Sequence, residues 1–166
     1  MRYADVIWND ITAGDGLCVS FYTQGCPHHC PGCQNPGTWD FEGGKEFPSS
    51  LIDELIVRLN AQGIQRPLCI LGGEPLCQEN LFLTNLLVST VKEKSPHTKI
   101  IIWTGYLYEE LEKSGSPHMK NILANVNTIV DGPFIQEQRD ITLKMRGSTN
   151  QRIIDLRSKF WYNKRK

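Results

Sequence analysis

Residues 18–33, CVSFYTQGCPHHCPGC, decide how this chain is read. Cys18 to Thr23 is apolar, β-branched and aromatic, which is the composition of a buried strand. Directly after it stand Cys26, Cys30 and Cys33, spaced C-x3-C-x2-C within eight residues. Pro27 and Pro31 fix φ and stiffen the loop that carries the three thiols. Gly32, with no side chain, lets the backbone come close to whatever binds there. A strand that delivers three thiols at its C-terminal end suits an α/β fold, where sites collect beyond the ends of parallel strands.

Working outward, Gly14-Asp15-Gly16 reads as a hairpin-like turn before that strand, and a loop rich in Pro and Gly runs from Gly25 to Pro48. Leu51, Ile52, Leu55, Ile56 and Leu59 fall on one helical face, with Ser50 and Asp53 placed as a capping box and Gly63 near the end. Leu68 to Leu71 is a short buried-type strand ended by Gly72-Gly73. Leu83, Leu86, Leu87 and Val91 mark a second amphipathic helix. Lys99 to Trp103 predicts a third strand, followed at Gly105 by a short helix around Leu107 to Leu111. Asn127 to Val130 is a fourth strand, broken by Asp131-Gly132-Pro133, and Arg152 to Leu156 is the last. Strands alternating with helices imply βαβ units and a mostly parallel sheet. Five or six strands are too few for a closed barrel of about 250 residues. The expected fold is a single α/β domain over residues 1–166, a partial, open TIM-like barrel.

The composition narrows the function classes. Lys+Arg and Asp+Glu both number 18, so the net charge is zero. A general nucleic-acid or anionic-membrane binder should carry a basic excess, and none is present. The longest apolar runs are Leu68 to Leu71 and Ile100 to Trp103, far short of the roughly 18 residues of a membrane span. The opening MRYADVIWND has acidic residues where a signal peptide needs an apolar stretch, so a cytoplasmic protein is expected. From about residue 157 a basic tail carries five cations and three aromatics. It reads as a solvated end, with docking on an acidic protein surface or RNA binding as alternatives.

Six cysteines are too sparse for a disulfide scaffold, and in a reducing compartment thiols sharing a loop bind metal. Three thiolates grip three corners of a cubic 4Fe–4S cluster and leave the fourth iron open for chemistry. The alternative is a structural zinc site with His28 or His29 as fourth ligand. Otherwise both histidines read as solvated loop residues. Cys18, Cys69 and Cys77 lack clustering and read as small buried apolar residues.

The cysteine spacing, with Gly72-Gly73-Glu74-Pro75 after the second strand, resembles the radical S-adenosylmethionine (SAM) superfamily. The wider text Gly25-Cys26 to Gln34-Asn35, Thr38-Trp39, Trp103-Thr104-Gly105-Tyr106, Val130-Asp131-Gly132-Pro133-Phe134 and Arg146-Gly147-Ser148-Thr149-Asn150 is similar to one branch, the activating proteins of anaerobic ribonucleoside-triphosphate reductase. The similarity covers roughly residues 3 to 156. It implies that Cys26, Cys30 and Cys33 hold one 4Fe–4S cluster whose open iron is chelated by SAM. It further implies that a reductant such as a flavodoxin-type donor drives SAM cleavage, and that the resulting 5′-deoxyadenosyl radical takes hydrogen from a glycine of the reductase's large subunit.

The same resemblance places SAM against Gly32, Cys33 and Gln34 at its adenine, although Gln34 stands where relatives often carry an aromatic. Gly72, Gly73 and Glu74 fall at its methionine end, with Glu74 either orienting the turn or pairing with the ammonium. Thr104 and Asp131 are further candidates, or simply turn residues. Trp39 and Phe41 either shield the cluster or anchor the loop. Two other readings stay open: activation of a different glycyl-radical enzyme or small-molecule radical SAM chemistry, and a zinc-stabilised binding module without catalysis.

Overall fold

The computed structural model describes residues 1–158, so the tail from residue 159 on lies outside the described residues. Arg157, at its root, donates from Nε to the Val126 carbonyl (2.9 Å) and from Nη2 to that of Leu123 (3.0 Å). The chain is a mixed α/β protein built on one seven-stranded sheet. Its elements are β1 (Arg2–Asp10), β2 (Cys18–Thr23), β3 (Lys45–Glu46), α1 (Ser50–Leu59), β4 (Leu68–Gly72), α2 (Leu81–Lys94), β5 (Ile100–Trp103), α3 (Tyr108–Glu112), α4 (Pro117–Asn125), β6 (Thr128–Asp131) and β7 (Arg152–Asp155). The sheet order is β3-β1-β2-β4-β5-β6-β7. The middle four strands, β2, β4, β5 and β6, run parallel. β1 pairs antiparallel with β2 and β3, and β7 antiparallel with β6. The expected parallel character therefore holds in the centre and gives way to antiparallel pairing at both edges.

Side chains along the central strands sort with the two-residue period of a pleated sheet. Val19, Phe21, Leu68, Ile70, Ile100, Ile102 and Ile129 join one core with Leu55 and Leu59 of α1, Leu83 and Leu87 of α2 and Ile122 of α4. The residues between them, Cys18, Cys69, Ile101 and Val130, form a smaller cluster on the other face with Ala13, Leu71, Trp103 and Met145. The first face is a helix-covered core in which each large aliphatic side chain contributes about 1.5–3 kcal/mol by burial. The opposite face is covered by loops, and it is there that the chain makes its cavity.

Several local expectations change. Ser50 is already helical, so the Ser50–Asp53 capping box does not form, and Ser49 at the cap makes no side-chain bond. β1 gives no clear strand signal in the sequence because its pairing with β2 slips between Tyr3 and Asp5, and a bulge of this kind interrupts the alternation. It nonetheless packs Tyr3, Val6 and Trp8 on the core. α4 begins with a legible signal, Ser116-Pro117: Ser116 Oγ accepts from Met119 N and proline takes the first turn.

Asp131, at the end of β6, is fully buried. Its Oδ1 accepts from Arg152 Nε at 2.9 Å, its Oδ2 from Arg152 Nη2, and Oδ2 also accepts from Tyr108 N at 2.8 Å. The carboxylate thus ties β7 to β6 and holds the start of α3. Arg152 reaches on to Glu109, with Nη2···Oε2 2.8 Å. An Arg152→Ala protein leaves that carboxylate buried without its cation, a loss on the order of 3 kcal/mol. Urea titration is expected to show it as a lower midpoint at unchanged slope, and an unchanged midpoint would contradict this role.

Candidate iron–sulfur and cofactor site

The cysteine loop leaves β2 and is pinned at its base by backbone bonds, Gly25 N to Thr38 O (2.8 Å) and Cys26 N to Trp39 O (3.1 Å). Gly25 has φ +95°, and the ring of Phe41 occupies the space a Cβ there would need. Phe41 is thus the anchor of the loop. Trp39 instead lines the cavity, with its ring stacked on His29 at 4.8 Å between centroids. Cys26, Cys30 and Cys33 are all free, partly buried thiols lining one cavity of about 410 Å³. Burial pushes the Cys26 thiol up from its ordinary value. The Asn35 amide donates to Cys33 Sγ at 3.3 Å.

The opposite wall comes from the ends of β4 and β5. Gly72 takes φ +103°, a left-handed conformation that favours glycine, and a Cβ there would press on the backbone of Tyr22 and Thr23. The turn is zipped to the cysteine loop by Gly73 N to Thr23 O (2.9 Å) and Glu74 N to Gly25 O (2.8 Å), with Asn80 Nδ2 adding a bond to Gly25 O (3.1 Å). Glu74 is only 1% exposed. Its Oε1 accepts from Leu76 N (3.0 Å) and Thr104 Oγ1 (2.7 Å), and its Oε2 from Gly105 N (2.7 Å) and His28 Nε2 (2.9 Å). Of the two roles open to Glu74 from sequence, its four bonds are those of orienting the turn. Thr104 gives its hydroxyl proton to that carboxylate, and Thr104 Oγ1 accepts from Tyr106 N at 3.2 Å.

The third wall is the segment between β6 and β7. Trp103 Nε1 donates to Met145 O (2.7 Å), and Met145 adopts φ +59°, uncommon for a residue with a side chain. Gln151 Oε1 accepts from the amides of Gly147 (2.9 Å) and Ser148 (3.2 Å), and its Nε2 donates to Gly132 O (3.0 Å). These bonds present Arg146 to the cavity. Its Nη1 donates to Gln151 O at 2.6 Å, while its Nε is buried with no protein partner. Among the described residues, Arg146 is the one arginine or lysine that lines the cavity.

Of the residues singled out from sequence, the fold brings Cys26, Cys30, Cys33, Gln34, Gly72, Gly73, Glu74 and Thr104 to this cavity. Two lie elsewhere. Gly32, at φ +75°, turns against the Gln136 side chain, and Asp131 is spent on Arg152 and Tyr108 while its neighbour Gly132 reaches the wall. His28 is not a solvated loop residue: it is bound to Glu74, whose hydrogen bond raises its pKa. Cys18, Cys69 and Cys77 are buried, as their scatter suggests. Burial drives the Cys77 thiol up to about 12, whereas the hydrogen bond with Cys69 lowers that of Cys18. Arg146 belongs to one of the blocks that carry the family resemblance, but no spacing rule singles it out.

Three free thiols lining one cavity suit an iron–sulfur cluster. Among the described residues no three His, Cys, Asp or Glu side chains converge tightly enough for a single ion. Of the two histidines that a zinc site would draw on, His28 already bonds Glu74 through Nε2, and His29 stacks on Trp39.

Fold and site together define a small α/β protein with three free cysteines on one loop, and the family described as "4Fe-4S single cluster domain" matches residues 12–154. Among relatives, the anaerobic ribonucleoside-triphosphate reductase-activating protein of Salmonella typhi is 35% identical over 158 residues, 95% of this chain and all of its own length. That of Escherichia coli strain K12 is 34% identical over the same shares. The counterpart from Enterobacteria phage T4 is 35% identical over 154 residues, 92% of this chain and 93% of its own. The chain belongs to this family of activating proteins, enzymes built around a 4Fe–4S domain.

Proposed function

We propose that this chain activates an anaerobic ribonucleoside-triphosphate reductase by radical SAM chemistry. In this reading Cys26, Cys30 and Cys33 hold one 4Fe–4S cluster with an open iron, and SAM lies between it and the double-glycine turn. A flavodoxin-type protein serves as reductant, and the large subunit of the reductase is the protein substrate. The observation that carries it is the convergence of three free thiols, the Gly72-Gly73 turn and the Arg146 side chain on a single cavity. Its volume of about 410 Å³ lies in the range of roughly 300–1,000 Å³ usual for small-ligand sites. The proposal includes a single cytoplasmic domain whose sheet curls as a partial, open barrel around the cavity. No helix among the described residues is long and apolar enough to cross a membrane.

When bound, the reduced cluster supplies the electron that splits SAM into methionine and a 5′-deoxyadenosyl fragment able to take hydrogen from a glycine. The chain's own residues bind, orient and shield. The Gly72-Gly73 backbone lies open to the ammonium end of SAM, and Gln34 and the backbone at Cys33 line the side assigned to adenine. Trp39, Trp103 and Phe134 give the cavity apolar walls that keep water from the reacting atoms. Arg146 faces the carboxylate of SAM. A charge-assisted hydrogen bond of this kind is worth about 1.5–3 kcal/mol, so Arg146→Gln is expected to weaken SAM binding roughly 10- to 100-fold, measured by equilibrium dialysis on the reconstituted protein. Wild-type affinity in that variant would remove Arg146 from the site.

The function itself is tested by mixing reduced protein, SAM and an anaerobic reductase and recording electron paramagnetic resonance (EPR). A glycyl-radical signal is expected that needs all three components and appears with methionine and 5′-deoxyadenosine. SAM cleavage without a radical on the reductase would point to a different substrate.

A further inference from the structure

We infer that His28 is a positioning residue: through the buried Glu74 carboxylate it seats the cysteine loop on the turns after β4 and β5, and so sets the cluster thiols in register with the SAM-binding turn. The inference rests on the function proposed above and adds a role to a residue in the spacer between two of the cluster cysteines.

His28 is the second of the three residues separating Cys26 from Cys30. Its Nε2 lies 2.9 Å from Glu74 Oε2, and its side chain is 20% exposed against 1% for Glu74. Among the described residues this is the one hydrogen bond that the spacer makes to another segment of the chain. The imidazole occupies a built seat. A Cβ on Gly105 would come within 2.5 Å of His28 Cδ2 and 2.7 Å of Nε2, so glycine at 105 makes the room. The Tyr106 ring closes the seat edge-on, 4.6 Å between centroids and 69° between planes.

Glu74 makes this seat more than a local contact. Its four hydrogen bonds come from three segments: its own turn through Leu76, the turn after β5 through Thr104 and Gly105, and the cysteine loop through His28. The backbone ties of the loop at Gly25 and Cys26 fix where it starts, whereas His28 fixes the stretch that leads to Cys30. Without the imidazole, Oε2 keeps only the Gly105 amide, a buried carboxylate is left short of a donor, and a void opens beside Tyr106. The sulfurs of Cys30 and Cys33 then lose their fixed relation to Gly72 and Gly73. Three blocks that stand apart in the sequence, the cysteine loop, Gly-Gly-Glu-Pro and Trp-Thr-Gly-Tyr, are by this account one mechanical unit.

The test compares wild type, His28→Gln, His28→Leu and Gly105→Ala, each reconstituted anaerobically. Iron and sulfide content, the dissociation constant for SAM, and the EPR spectrum of the reduced cluster with and without SAM are measured. Glutamine keeps an N–H donor at a similar reach, whereas leucine fills the seat without one. His28→Leu is expected to bind SAM at least tenfold more weakly and to lose most of the SAM-induced spectral change, with His28→Gln within about threefold of wild type. Gly105→Ala, which crowds the imidazole from the other side, is expected to follow His28→Leu. If His28→Leu fails to assemble a cluster, recovery of cluster and SAM binding in His28→Gln supports the seat, and no recovery overturns it. Wild-type SAM binding in either His28→Leu or Gly105→Ala also overturns it. A wild-type protein that assembles its cluster and binds no SAM refutes the proposed function instead. In that case the seat is judged on the SAM-free cluster, whose spectrum must change in His28→Leu and return in His28→Gln.

Discussion

Cys30→Ala protein, reconstituted with iron and sulfide under anaerobic conditions, is expected to hold no stable four-iron cluster and to cleave no detectable SAM. Among the described residues, three free thiols line one wall of the cavity. The other three cysteines are buried elsewhere, with Cys77 donating to the Glu74 carbonyl at 3.1 Å and Cys18 to that of Asp10 at 3.1 Å. No substitute thiol can therefore swing in when one ligand is removed. A cluster already one protein ligand short of the usual four cannot lose another and remain fixed. Iron analysis and product chromatography check the two outcomes separately. Retained SAM cleavage in Cys30→Ala would sink the ligand assignment, and it would do so whatever the iron content.

Gly73→Val is the other large effect. An added Cβ at Gly73 would run into the carbonyl of Gly25, and the Gly25 C and N atoms stand close behind it. Backbone cannot rotate away as a side chain can, so the turn and the cysteine loop must part. That breaks the bonds from Gly73 N to Thr23 O and from Glu74 N to Gly25 O. Overpacking of this kind costs about 1–3 kcal/mol and each lost bond about 1 kcal/mol more. At about 2–4 °C per kcal/mol for a chain of this size, the melting temperature should fall by roughly 6–20 °C. From sequence alone this substitution is expected to weaken SAM binding and spare the cluster. Because the obstructed neighbour is Gly25, one residue before Cys26, we expect both SAM binding and cluster loading to fail. Gly37→Ala, at a glycine with open space around it, serves as the control. A Gly73→Val protein with normal melting, iron content and SAM affinity would contradict the placement of this turn.

What the sequence made legible follows from how local each signal is. The strand Cys18 to Thr23 appears over those same residues, because a run of β-branched and aromatic residues ended by Gln-Gly leaves little choice. The turn at Gly72-Gly73 was legible because glycine there answers a backbone need. β1 was not, since a bulge broke its period. Asp131 shows the limit for site residues. Its position after a strand, next to a glycine, suits a ligand contact, but it is Arg152, which lies 21 residues on, that decides the carboxylate is structural. His28 and Arg146 were invisible for the same reason. The partner of His28 is 46 residues away, and Arg146 reaches the cavity wall only because Gln151 and Trp103 fold the segment around it. The cluster loop is written locally, but the surroundings that orient it are tertiary.

The central claim is that three cysteines leave one iron of a 4Fe–4S cluster open to SAM. EPR of the anaerobically reconstituted, reduced protein, recorded without and then with SAM, addresses it most directly. We predict the signal of a reduced 4Fe–4S cluster whose shape changes when SAM is added. A cluster signal indifferent to saturating SAM, or a protein that takes up zinc and no iron, would contradict it.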